Sequence, residues 1–331
     1  VTAADLTPLR PFWHPVAYSR DVGDAPVGAT VLGEPVVIFR DGDDVSAFRD
    51  LCPHRGSKLS LGRVIDGKLT CPYHGFRYDG TGRCVLIPSQ PPDQQVIPSR
   101  VRLERYAAAE RYGIVWVALD EPVQELPACP LYDEPGFHSF SPDAVTWKTS
   151  AARWMENFLD ITHFAHVHAG ILGDPDDPVT EPFEVHTTPT GLRYEFSLRQ
   201  QLDPARWPTE TGGVMEMEDA YAYYELWLPF TISIITDTTE GRWSIWCAGL
   251  PVQPAEVRLF FVVSRNYMLD EPDGPFGDAV YAIADQDRPI TENQHPEMLP
   301  VDLTEEIHLR VGDAAGVAYR RQLREIGLAY A

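Results

Sequence analysis

The chain has 331 residues and a formal net charge of −22, with 44% hydrophobic and 23% charged residues, a globular composition long enough for two domains. That charge excludes sequence-independent nucleic-acid binding, which rests on Lys and Arg neutralising phosphates, and mismatches an anionic membrane surface; no run approaches the roughly 20 apolar residues that span a bilayer. Five cysteines make no disulfide framework in a chain of this size, and Val1–Arg10 has no basic segment leading into an apolar one, so the expected compartment is the cytoplasm.

The N-terminal third reads as short strands joined by tight turns. Glu34–Arg40 and Asp44–Asp50 flank Asp41-Gly42-Asp43, a hairpin signal. Asp66-Gly67 and Asp79–Gly82 mark further turns, and Gly113–Leu119 suits a buried strand. Pro-rich stretches at Ser89–Asp93 and Glu121–Pro135 are loops, and the second divides the chain into expected domains 1–125 and 126–331. Beyond it, Trp154–His168 reads as a helix. Runs at Ala220–Leu228, Thr231–Asp237, Trp243–Leu250 and Val257–Tyr267 predict an antiparallel sheet. Helices are expected over Gly277–Asn293 and Leu303–Leu328. An all-β domain followed by a sheet with helices packed on it is an α+β arrangement.

Within the first domain, Cys52-Pro-His54-Arg-Gly and Cys71-Pro-Tyr-His74-Gly each put a thiol and an imidazole in one tight loop. Two thiolates on one iron and two imidazoles on the other make a [2Fe–2S] centre of raised potential. Structural zinc also takes two Cys and two His, but its ligands usually pair like with like. The alternation resembles the Rieske family. Rieske proteins of respiratory complexes carry an extra cysteine in each loop; Ser57 and Tyr73 stand at those positions here, and the resemblance therefore points to the ferredoxin or oxygenase type. Cys84, Cys129 and Cys247 read as small buried hydrophobes.

A cluster only moves electrons, and a second motif supplies a destination. The run Asn157-x-x-Asp160-x-x-His163-x-x-His166-x-His168 gathers three histidines in six positions. Two His and a carboxylate bound facially leave open positions on Fe(II) for dioxygen. Residues five apart diverge by about 140° on an ideal helix, so pairing His163 with His168 requires a break or a π-type widening between them; His166 fits an unbroken face better. Among downstream carboxylates, Asp285, Asp287 and Glu292 are candidates. Asp285 lies about 200° around a helix from Asp287, so the two cannot both face one ion.

Asn157-x-x-Asp160-x-x-His163-x₄-His168 resembles the iron-binding signature of the Rieske oxygenases, and Gln286-Asp287-x₄-Glu292-x-Gln294 resembles the last ligand helix of the shorter, homotrimeric vanillate O-demethylase-like branch. The resemblance covers the whole chain. It implies iron ligands His163, His168 and Asp287, a bridging Asp160 beside Asn157, and a catalytic sheet of helix-grip type. It implies a head-to-tail homotrimer in which electrons pass from His74 of one subunit through Asp160 to His163 of the next. It also implies a monooxygenase that uses O2 and two external electrons to hydroxylate, or to O- or N-demethylate, a small organic substrate. Ring dihydroxylation is the alternative, and an electron carrier with an inactive second site a further one. A separate reductase, with or without a ferredoxin, is expected, since no Gly-x-Gly-x-x-Gly follows a predicted strand. Tyr221, Tyr223, Tyr224, Trp227, Phe230, Trp243, Trp246, Phe260 and Phe261 are the aromatic candidates for a pocket, about one in four of which is expected to line it rather than the core.

Overall fold

The structure is a computed structural model and describes residues 5–169, 171–201 and 217–331. The chain divides into two compact units, Leu9–Glu125 and Leu126–Ala331, the second also taking the residues up to Pro8. No helix among the described residues is long and apolar enough to cross a membrane.

The first unit is all β. A six-stranded sheet contains the hairpin Glu34–Asp41/Asp44–Arg49 and the strand Ile114–Ala118, in which every residue is buried. Gly42 turns the hairpin with φ of 70°, a conformation that only glycine adopts without cost. A small four-stranded sheet of Arg63–Ile65, Lys68–Thr70, Arg77–Tyr78 and Cys84–Leu86 carries the second Cys-His loop. Val37, Phe39, Phe48, Leu59, Leu69 and Tyr78 form a core in which Cys52 and Cys71 are also buried.

The second unit is built on an eight-stranded antiparallel sheet. Its central order is Glu256–Arg265, Arg242–Gln253, Thr231–Asp237, Met217–Trp227 and Gly191–Gln201. The last of these strands was not expected, although Leu192, Tyr194 and Phe196 alternate inward along it with exposed Arg193, Glu195 and Ser197, the period-2 pattern of a half-buried strand. Among the described residues four α-helices complete the unit: α1 (Ala151–Leu159), α2 (Phe164–Val167), α3 (Gly274–Thr291) and α4 (Ala314–Glu325).

Helix boundaries depart from expectation in two places. The helix expected over Trp154–His168 is two helices. Ser150 caps the first, accepting from Arg153 N, and Asp160 ends it in an extended conformation with ψ of 133°. The helix expected over Leu303–Leu328 begins only at Ala314. Ahead of it, side chains replace helical bonds: Thr304 N donates to Asp302 Oδ1, and Leu309 N to Asp313 Oδ2. Such local side-chain acceptors compete with helix formation.

Candidate functional site

The two Cys-His loops share one backbone plan. Cys52 N donates to Ser57 O and Gly56 N to Cys52 O; Cys71 N donates to Phe76 O and Gly75 N to Cys71 O. Both loops need a glycine at the fifth position, since Gly56 and Gly75 have φ of 71° and 70°. Buried Asp50 braces the first loop by accepting from Leu59 N, Ser60 N and Ser60 Oγ at 2.6–2.8 Å. Cys52 and Cys71 lie inside, whereas His54 and His74 are exposed with ring centroids 4.5 Å apart. His54 stacks on Phe76. Burial pushes the Cys52 thiol up, so a thiolate there calls for a cation.

Four ligands around one tetrahedral zinc would converge to within about 3.8 Å of one another. Among the described residues, the one group of three or more such side chains whose ligand atoms all lie within 4.8 Å is His163, His168 and Asp287, not the cysteine–histidine set. The cysteine–histidine set, with its thiols buried and its imidazoles exposed, fits a two-iron centre with separate thiolate and imidazole ends.

The compact group sits where α1, α2 and α3 meet. His163 is the N-cap of α2 and His168 its C-cap, with φ of −105° and ψ of 24°. The chain therefore breaks on either side of the pair rather than between them, which corrects the expected position of the irregularity. Asp160 makes the first break by accepting from Thr162 N and Oγ1. The Nε2 atoms of His163 and His168 lie 3.2 Å apart, and Asp287 Oδ1 is 3.3 and 3.1 Å from them. Three ligands about 2.1 Å from an ion and 90° apart would be about 3.0 Å from one another.

The outer nitrogens fix the tautomers. His163 Nδ1 donates to Asp160 Oδ2 at 3.2 Å and His168 Nδ1 to Gln286 Oε1 at 2.8 Å. Both Nε2 atoms then converge on one carboxylate oxygen, where a proton or a metal ion must lie between nitrogen and oxygen. Burial disfavours a charged His163, but Asp160 and Asp287 outweigh it and raise its pKa to about 9. Burial likewise opposes the charge on Asp287, and the two histidines hold its pKa below the usual carboxylate value. Asn157 Nδ2 reaches Asp287 Oδ1 at 3.4 Å, while Asn157 Oδ1 is buried without a partner among the described residues.

Known proteins bear on both sites. Residues 12–107 match the Rieske [2Fe-2S] domain and residues 147–329 the vanillate O-demethylase oxygenase C-terminal domain. The chain belongs to this family of Rieske oxygenases. It is 33% identical to methylxanthine N3-demethylase NdmB of Pseudomonas putida over 98% of this chain and 91% of that one. It is 31% identical to methylxanthine N1-demethylase NdmA of the same organism, over 96% and 89%. The structure of P. putida CBB5 NdmA with caffeine superposes with a TM-score of 0.84 at 28% identity, covering 97% of this chain and 91% of that one. As a member of this family the protein is an oxygenase component with a Rieske cluster and a mononuclear iron, and it draws electrons from separate redox proteins.

In this Rieske oxygenase a cavity opens from the triad. Its walls are apolar, with Phe158, Phe164, Leu198, Ile234, Ile245 and Val280 among them. Of the nine aromatic candidates, Tyr224, Trp243 and Phe261 line it. Strand alternation turns Tyr221 and Tyr223 toward the other face of the sheet, and Trp246 and Phe260 are fully buried. The remaining metal candidates lie apart from the triad. His166 and Asp285 are exposed, and Glu292 accepts from Lys148 N and Arg288 Nε. Gln286 was visible beside Asp287, but its role as the brace on His168 was not. Tyr78, whose hydroxyl lies 3.3 Å from Cys52 Sγ, carries no sequence signal at all.

Proposed function

We propose that this oxygenase oxidatively removes a methyl group from the nitrogen or oxygen of a small aromatic or heterocyclic substrate. The observation that carries this reading is the apolar cavity ending on the convergent Nε2, Nε2 and Oδ1 atoms of His163, His168 and Asp287. In this reading Cys52, His54, Cys71 and His74 hold the [2Fe–2S] cluster within a domain of residues 1–125. His163, His168 and Asp287 hold ferrous iron within a catalytic domain of residues 126–331. When bound, the cluster delivers electrons singly and the iron offers open positions for dioxygen.

The chain's own residues prepare that chemistry. Asp160 and Gln286 accept the Nδ1 protons of the two histidines and so aim their Nε2 lone pairs. Asn157 steadies Asp287. The apolar walls hold a flat substrate and keep bulk water from the oxidant. In balance, a methyl group, dioxygen, two electrons and two protons give a hydroxymethyl group and water. A hydroxymethyl on nitrogen or oxygen then breaks its C–N or C–O bond to release formaldehyde. The methylxanthine N-demethylases among the relatives favour nitrogen.

A head-to-tail homotrimer fits the same features. Asp160 borders a cleft with Val167, Ile290, Ile307 and His308, and Ile307 is 92% exposed. The exposed His54, Tyr73 and His74 of a second copy are suited to dock there, and such unlike faces close into a ring. No disulfide joins any of the cysteines among the described residues, as suits the reducing cytoplasm.

Oxygen uptake with a surrogate reductase, across N- and O-methylated aromatics and heterocycles, tests the reading. One formaldehyde formed per dioxygen consumed supports it. A dihydrodiol without formaldehyde overturns it.

A further inference from the structure

The pairing of Gly191–Gln201 with Met217–Trp227 sets Gln200 directly opposite Glu218. Both are buried, and Gln200 lines the cavity. Gln200 Nε2 donates to Glu218 Oε1 at 3.4 Å, while Glu218 Oε2 accepts from Thr239 N at 2.9 Å and Thr239 Oγ1 at 2.6 Å. A carboxylate only accepts, so the amide nitrogen of Gln200 must face it and the carboxamide cannot flip. Gln200 Oε1 is left with no bond to any described residue. Thr236 adds a hydroxyl to the same wall, across from Ala222. No Lys or Arg is among the described residues lining the cavity, and Asp287 is the one carboxylate among them.

We infer that Gln200, held by Glu218, is a specificity-determining residue that accepts a hydrogen bond from an N–H group of a neutral substrate. This rests on the reading of the cavity as the substrate site. The sheet supplies the rigidity, since an acceptor fixed from behind by a buried carboxylate loses little freedom on binding. The same cavity disfavours aromatic carboxylates. Such an anion would leave water for apolar walls that offer it no Lys or Arg among the described residues, and burying a charge without such a partner is costly. Neutral heterocycles with a ring N–H, such as partly methylated purine-diones, meet both requirements.

Calorimetric titration of the iron-loaded protein with theobromine, caffeine and vanillate tests the inference. Theobromine carries a ring N–H where caffeine carries N–CH3, and vanillate is anionic. Both xanthines are expected to bind more tightly than vanillate, with theobromine favoured over caffeine by about tenfold, the worth of one good hydrogen bond. Gln200→Leu, of similar volume, is expected to reduce that preference to within about twofold. Glu218→Gln, which frees the amide to flip, is expected to weaken theobromine and leave vanillate unchanged. Vanillate binding as tightly as the xanthines, a preference untouched by Gln200→Leu, or no binding of any of the three overturns the inference. Binding is read without turnover. Formaldehyde release with no dependence on Gln200 therefore overturns this inference alone, and N–H selectivity without formaldehyde overturns the proposed reaction alone.

Discussion

His163 and His168 stand five residues apart, yet their Nε2 atoms approach to 3.2 Å. A single helical turn separates them, and the chain departs from the helix on both sides of it. Asp160 causes the first departure and also accepts from His163. One carboxylate thus both shapes the backbone and orients the imidazole.

His168→Ala should remove the mononuclear iron and leave the cluster. His166→Ala should remove neither, because His166 is exposed on the far side of the same turn. Iron analysis beside the cluster's visible absorbance reads the difference. An H168A protein with wild-type iron content would exclude the ligand assignment.

Asp160→Ala keeps all three metal-facing atoms but removes the acceptor on His163 Nδ1. Turnover should fall by about 10- to 100-fold, as when other such supporting partners are lost. Substrate affinity, set by the cavity walls, should hold within about twofold. Oxygen uptake and calorimetry on one preparation check this, and a large loss of affinity with normal turnover would contradict it.

The two candidate metal motifs stand out in the sequence because a metal tolerates few donor types, and close spacing along the chain survives folding. The α+β class followed from long β-branched runs. What failed to show depends on contacts between distant segments. Ahead of Ala314, where local acceptors already interrupt the expected helix, Glu306 meets Arg153, a partner far away in sequence, and Arg320. Tyr221 and Tyr224 are both aromatic strand residues, yet only Tyr224 reaches the cavity, and its inward face is set by register with Ile234 and Tyr194. Gln200 looks like any polar strand end until its pairing with Glu218 is known.

Tyr78→Phe should lower the cluster potential. The Tyr78 hydroxyl lies 3.3 Å from Cys52 Sγ in a buried setting, and a donor to sulfur favours the more negative, reduced state. A net hydrogen bond of about 1 kcal/mol corresponds to roughly 40 mV for one electron. Redox titration followed by visible circular dichroism measures it. An unchanged or raised potential would show that the hydroxyl does not donate to the sulfur.

Arg320→Met should destabilise the catalytic unit by about 3 kcal/mol at neutral pH, in the range for breaking a buried ion pair. Arg320 is 2% exposed and meets Glu156 on α1 through Nε and Nη2, the latter at 2.7 Å, together with Glu306 and Pro300 O. Arg153 joins the same network through Glu306 at 2.6 Å. Methionine fills the space but leaves Glu156 short of its bidentate partner. Burial alone would raise the Glu306 pKa, yet bonds to Arg153 and Arg320 outweigh it and hold the pKa below the usual value. A depressed carboxyl contributes stability that is complete above its unfolded pKa of about 4.3 and lost as pH falls through the lower folded one. The gap between wild type and R320M should therefore be widest near pH 7 and narrow below about pH 4. Urea unfolding of the catalytic-unit transition at both pH values measures it. Because Glu156 precedes Asn157 on α1, the variant should also hold its mononuclear iron less firmly against a chelator, and a gap independent of pH would mean that packing rather than charge holds α1 to α4.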